Sequence, residues 1–323
     1  MRDQWNREID YLRISITDRC NLRCRYCMPE EGVTWFEHSQ ILTYEEIIRL
    51  CRIFYELGIR KVKVTGGEPL VRKGVPWLIR ALKESCHMEQ VTLTTNGVLL
   101  KEQLGGMVEA GLDGVNISLD TLNREKFLEI TRRDQLSEAL DGLSEALRYP
   151  ELNVKVNCVP AAYNLDEVTA IAGLAKDDPL TVRFIELMPI GQGRNKDGIS
   201  EEKILGLLEQ KYGVLYPYDG NMGNGPAHYY EFPGFRGKIG FISAISHKFC
   251  GECNRVRLTS DGGFKTCLQY GETLDLRSLL RSGATDTEIR EQIEKEIQKK
   301  PQCHHFEKQV ENIEKQNMSK IGG

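Results

Sequence analysis

The chain has 323 residues, 40% hydrophobic and 28% charged, the balance of a globular protein able to bury a core. Its formal net charge of −4 argues against a general nucleic-acid binder, and the polar opening MRDQWNREIDYLRIS argues against a secretory signal. No apolar run reaches membrane-spanning length, so the expectation is a cytoplasmic protein of one large or two ordinary domains, engaging neither membrane nor nucleic acid.

From the amino terminus, short β-branched runs alternate with helical patterns. Strands are predicted at 11–17 (YLRISIT), 61–67 (KVKVTGG), 91–97, 114–120, 153–160 and 181–189, with helices between them such as 43–58 and 164–176. The segment 44–57 carries apolar residues at helical spacing and stops at Gly58. Such alternation predicts an α/β fold with a parallel sheet and right-handed crossovers. Six units are too few for a closed eight-fold barrel, which leaves an open, partial barrel or a doubly wound sheet. After about residue 215, Gly and Pro thicken, and KIGFISAIS, NRVRLTSDGGF and KTCLQY read as antiparallel strands around a turn at Asp261–Gly263. A charged helical stretch, DTEIREQIEKEIQKK, follows. The expected division is 1–215 and 216–323, the second a smaller α+β region.

Chemistry-bearing residues gather past the strand ends, where parallel α/β folds hold ligands. CNLRCRYCMP puts Cys20, Cys24 and Cys27 into one short loop. Four thiolates would close a tetrahedral zinc site or ligate every iron of a four-iron cluster; three leave a position open. A zinc knuckle would need a fourth ligand from elsewhere, and three unrelated thiols are the other alternative. Ten cysteines in a reducing compartment do not read as disulfides. Cys51, Cys86 and Cys158 fall in apolar patterns and read as plain buried residues.

A second group, CGECNRVRLTSDGGFKTC, supplies Cys250, Cys253 and Cys267. Zinc completed by His247 or Cys303 and an iron–sulfur cluster stand even on the residues alone. Arg255 and Arg257, two apart in a strand, share one face directly after a ligand cysteine. Two guanidiniums converging there suit a polyanion such as a phosphate ester; the plainer alternative is a solvated strand face.

The C-x3-C-x2-C loop, the aromatic Tyr26 before its last cysteine and GGEP after the next strand resemble the radical S-adenosylmethionine (SAM) enzymes. That resemblance implies a partial (β/α)6 barrel and a [4Fe–4S] cluster whose open iron is chelated by the amino and carboxylate groups of SAM. One electron then cleaves the sulfonium and yields a 5′-deoxyadenosyl radical. It further implies that Tyr26, Gly66, Gly67 and Glu68 serve the cofactor, and that Ser118 and Met188 contact its nucleoside. The second cysteine group, its arginines and the ending MSKIGG narrow the resemblance to the GTP 3′,8-cyclase family, which opens molybdenum-cofactor synthesis.

The narrower resemblance implies that GTP binds between two [4Fe–4S] clusters. The adenosyl radical takes the ribose 3′ hydrogen, and the carbon joins C8 to give (8S)-3′,8-cyclo-7,8-dihydroguanosine 5′-triphosphate. By position the triphosphate falls to Arg13, Lys155, Arg183, Arg255 and Arg257, with Thr94 beside the substrate. The same resemblance implies that the tail, Gly322–Gly323, enters the cavity, with Arg255, Arg257, Gly322 and Gly323 as catalytic candidates; the plainer alternative is a frayed end. Lys63 stands where the family carries an arginine; it keeps the charge and loses the bidentate fork. Cys303, His304 and His305 are assigned no metal. A flavodoxin or ferredoxin as electron donor and a cyclic pyranopterin monophosphate synthase downstream are the implied partners, and a homodimer stays open. The alternatives are a radical SAM peptide-maturing enzyme with an auxiliary cluster and a zinc-stabilised nucleic-acid-binding module.

Overall fold

Alternate residues of the strand segments carry opposite chemistry. In YLRIS, KVKVT, QVTLTT, GVNIS, NVKVNC and TVRFI, Val, Leu, Ile or Phe recurs at every second position, and nearly all the rest are polar or charged. In an extended chain that period separates two faces. Strands of parallel sheets buried on both sides read instead as continuous apolar runs. One polar face therefore marks a sheet curled around something other than a packed core.

The computed structural model describes residues 1–194, 198–220, 222–306, 314 and 316–322. Six strands, β1 (Tyr11–Ser15), β2 (Lys61–Thr65), β3 (Gln90–Thr95), β4 (Gly114–Ser118), β5 (Asn153–Cys158) and β6 (Thr181–Ile185), run parallel in sequence order. Helices cross between them: α1 (Tyr44–Glu56), α2 (Val75–Glu84), α3 (Leu100–Glu109), α4 (Arg124–Thr131), α5 (Leu136–Ala146) and α6 (Val168–Asp177). This is the partial (β/α)6 barrel. α1 starts at a capping box, Thr43 with Glu46, and closes on Gly58 at φ +93°.

After α7 (Glu201–Tyr212) the chain adds β7 (Tyr216–Tyr218), β8 (His228–Glu231), β9 (Lys238–Ile242), β10 (Arg255–Leu258), β11 (Gly263–Lys265) and β12 (Leu274–Asp275). Two of the strands expected to be antiparallel take another place. β9 lies parallel against β6, and β10 parallel against β1 with Tyr11↔Arg255 and Arg13↔Arg257 in register. Both carry the alternation of the barrel strands, KIGFI and RVRL, and so prolong the same sheet at either edge. The hairpin around Asp261–Gly263 is present as β10 against β11. KTCLQY leaves strand geometry after Lys265, because Thr266 to Gln269 turn to line the cavity. The full order is β12-β11-β10-β1-β2-β3-β4-β5-β6-β9-β8-β7.

The apolar face of every barrel strand looks outward. Leu12, Ile14, Val62, Val64, Val91, Leu93, Val115, Ile117, Val156, Val182 and Val256 join one buried core with Ile47, Leu50, Ile53 and Phe54 of α1. Phe54 meets Phe264 of β11 at 5.7 Å between ring centres. After α8 (Leu276–Arg281) comes α9 (Asp286–Gln298), whose Ile289, Ile293 and Ile297 form one buried stripe. A last short helix, α10 (Met318–Ile321), belongs to the tail. Among the described residues no helix is long and apolar enough to cross a membrane.

Candidate active site

The polar face looks inward. One continuous cavity of about 370 Å³ is lined by the inward residues of β1 to β6 and β10 and by both cysteine groups. The two groups sit at opposite ends. Cys20, Cys24 and Cys27 follow the C-terminal end of β1, whereas Cys250 and Cys253 precede the N-terminal end of β10, its parallel neighbour. Cys267 follows β11, which runs antiparallel to β10 and so returns to that same end.

The first trio lies on a loop pinned from several sides. Cys27 N and Met28 N both donate to the Cys24 carbonyl at 2.9 Å, which curls the backbone. Arg23 N and Arg25 N donate to Thr131 O and Ile130 O at the end of α4, and Tyr26 Oη donates to Asp120 Oδ2 at 2.7 Å. Gly66 and Gly67 let the β2 end approach this loop: Gly67 N donates to Thr17 O at 2.7 Å, and a Cβ there would lie 2.5 Å from Arg19 O. Glu68 is buried and accepts from Asn96 N, Thr95 Oγ1 and Leu70 N at 2.7, 2.8 and 3.0 Å. Burial pushes its carboxyl up to about 7, so a cationic ammonium beside it would be strongly stabilised. Ser118, at the end of β4, and Met188, past β6, line the same region.

The thiols test the fit to a cluster. Burial pushes Cys20 up to about 12, Cys27 to about 11 and Cys24 well above the thiol range. Such thiols ionise when metal supplies the charge. Among the described residues no three His, Cys, Asp or Glu side chains sit close enough to hold one metal ion. Three thiols on one curled loop are the donor set of an iron–sulfur cluster with one iron left open, which Cys20, Cys24 and Cys27 fit. In the second group, burial would raise Cys253, but Lys300 and Arg255 bring it down to about 7, and burial raises Cys250. His247 turns instead to Ser246 and Glu201. Cys303 Sγ lies 3.4 Å from His305 Nε2.

Between the ends stands a belt of cations. The strand register aligns Arg257, Arg13 and Lys63 side by side across β10, β1 and β2. Lys155 and Arg183 come from β5 and β6, and Arg183 donates from Nε and Nη2 to Asn157 Oδ1 at 3.0 and 2.6 Å. Thr94 and Arg255 line the same cavity. Burial, reinforced by neighbouring cations, lowers Arg13, Arg257 and Lys63, the last two well below their ordinary values, and brings Lys155 to about 7. Like charges gathered this closely in a buried space call for a polyanion.

Gly322 reaches this belt. Its carbonyl accepts from Arg257 Nη1 at 2.8 Å, and at φ +79° a Cβ would lie 2.6 Å from Thr65 Oγ1. Gly323 lies outside the described residues. The sequence reading missed Tyr11, Asn116, Asn157 and Lys300, which also line the cavity. The inward positions of the alternation would have found the first three; Lys300, held by the carbonyls of Arg255 (2.9 Å) and Thr266, had no such signal.

A partial barrel with a three-cysteine loop after its first strand, backed by Gly66–Glu68, defines a radical SAM enzyme, which uses SAM with an iron–sulfur cluster. Residues 14–172 match the Radical SAM superfamily and residues 180–306 match Molybdenum Cofactor Synthesis C. Among solved structures, Streptococcus suis SuiB bound to precursor peptide SuiA aligns at a TM-score of 0.59 over 88% of this chain and 67% of that one; at 14% identity the likeness shows the fold alone. Proteins named GTP 3′,8-cyclase from Clostridium perfringens strain 13 and Petrotoga mobilis are 43% and 45% identical over 324 and 328 residues, each alignment covering all of both chains. The chain belongs to the GTP 3′,8-cyclase family.

Proposed function

We propose that this chain converts GTP to (8S)-3′,8-cyclo-7,8-dihydroguanosine 5′-triphosphate, holding GTP inside the barrel between two [4Fe–4S] clusters. The observation that carries it is the buried cation belt lying between two open-ended cysteine trios. Cys20, Cys24 and Cys27 would hold the cluster that binds SAM, and Cys250, Cys253 and Cys267 a second one facing the guanine. When bound, cluster and SAM together supply the adenosyl radical that takes hydrogen from the substrate.

The protein's own residues orient and exclude. Glu68, Gly66 and Gly67 form the cradle for the SAM amino group, with Ser118 and Met188 against its nucleoside. Arg13, Lys63, Lys155, Arg183, Arg255 and Arg257 neutralise the triphosphate, and Thr94 sits within the same wall. Fixing the phosphates holds the ribose C3′ at reaction distance, which is worth several powers of ten in rate. Gly322 buttresses Arg257, and the tail helps exclude water from the reacting carbon.

A flavodoxin or ferredoxin as reductant, a pterin-forming synthase as the next enzyme and a cytoplasmic location complete the assignment; ten free cysteines favour a reducing compartment. We assign the radical SAM partial barrel to residues 1–215 and the second cluster to 216–323, with the nucleotide held by cations from both. Anaerobic incubation with SAM, dithionite and GTP deuterated at C3′ tests it. The expected products are an isomer of GTP and 5′-deoxyadenosine carrying the deuterium. Deuterium-free 5′-deoxyadenosine with unchanged GTP would sink the assignment.

A further inference from the structure

The N-terminal ends of β3, β4 and β5 form the mouth of the barrel away from the first cysteine trio. Gln90, Gly114 and Asn153 stand there, and the cavity wall beside them is completed by Gly223, Asn224, Gly225 and Pro226, from the connection between β7 and β8. This connection is tied inward. Asn224 Nδ2 donates to Gln90 Oε1, and Lys155 Nζ donates to the Met222 carbonyl. Gly223 has φ +123°, and a Cβ there would lie 2.8 Å from Lys155 Nζ. At Gly225 a Cβ would come within 3.6 Å of Arg183 Nη1. The turn thus touches the two cations of β5 and β6, on the wall opposite Arg257, Arg13 and Lys63.

We propose that the turn Met222–Pro226 is the end wall of the polyphosphate site and sets its preference for a triphosphate over a diphosphate. The inference rests on the proposed substrate and adds the element that reads chain length. The Met222 carbonyl takes one proton of the Lys155 ammonium and so aims the other two into the cavity. The missing side chain at Gly223 leaves room for that ammonium, which any Cβ would displace. A nucleotide anchored by the first three cations needs its last phosphate to reach Lys155 and Arg183. A diphosphate leaves those two buried cations without their anion, which costs affinity.

Equilibrium binding of GTP, GDP and inorganic triphosphate to the anaerobically purified, cluster-loaded full chain tests this. Wild type should favour GTP over GDP by about tenfold or more, and inorganic triphosphate should compete. Gly223→Ala should weaken GTP binding by about tenfold while changing GDP little, so that the preference collapses. Gly234→Ala is the control: it sits at φ +83° with nothing within 4 Å of the added Cβ, so it carries the backbone strain without the contact and should keep the preference. Asn224→Ala, which cuts only the tie to Gln90, should lower the preference as well, and it carries the test if Gly223→Ala does not fold. Folded Gly223→Ala or Asn224→Ala protein with the wild-type ratio overturns the end wall. Wild type that binds no guanine nucleotide overturns the proposed substrate too, so the two failures read differently.

Discussion

Lys155 shows how a single buried side chain links this site to pH. Burial, helped by Arg183, brings its ammonium to about 7. Below that pH the charge is in place for an anion; above it, free protein has shed the proton and nucleotide binding must recover one. GTP affinity should therefore fall as pH rises past 7, with proton uptake at pH 8 visible by calorimetry in buffers of different ionisation enthalpy. Stability of the free protein runs the other way. The unfolded lysine keeps its proton to about 10, so stability should rise between pH 7 and 10. Arg257→Ala should still permit SAM cleavage while abolishing cyclisation, read as 5′-deoxyadenosine formed without the GTP isomer. Gly67→Ala would drive a methyl into the Arg19 and Asp18 carbonyls, which cannot both yield. A loss of about 1–3 kcal/mol is expected in denaturant titration, together with weaker iron retention. The two cysteine groups and the pair Arg255 and Arg257 were legible as residue types at fixed spacing; the glycines and the other cations were expected from the family resemblance. Lys300 was not legible, because its partners lie across the fold, the carbonyls of Arg255 and Thr266 far along the chain.

At the scale of elements, the six strand–helix units and the helix over 44–56 were open to reading, since periodicity and caps are local. Thr43→Ala removes the hydroxyl that accepts from Glu46 N while leaving the backbone N–H bonded to Glu46 Oε2, and should cost about 1 kcal/mol, measurable in a urea titration. The placement of β9 and β10 was hidden. Their composition marks them as strands, but whether a strand runs with or against its neighbour depends on which edge is free when the chain returns. β6 and β1 offered the two free edges of the partial barrel, and the returning strands took both. That choice also carries Cys250 and Cys253 to the end of the barrel away from Cys20, which spacing alone could not tell.

The molecule as a whole is closed by its tail. Lys265 of β11, fully buried, pairs with Glu314 and with the Tyr270 carbonyl. Lys265→Met would strand the buried carboxylate and should cost about 3–5 kcal/mol by thermal or denaturant unfolding, whereas Lys265→Met with Glu314→Leu should recover most of it. Two loaded trios predict about eight irons per chain by elemental analysis.

Each barrel strand divides its labour between neighbouring residues, one set packing outward and the other facing the ligand. Descendants of such a chain can rewrite the inner set and acquire new chemistry while the scaffold persists untouched. Inheritance of shape and divergence of reaction are thereby written into alternate letters of the same short words.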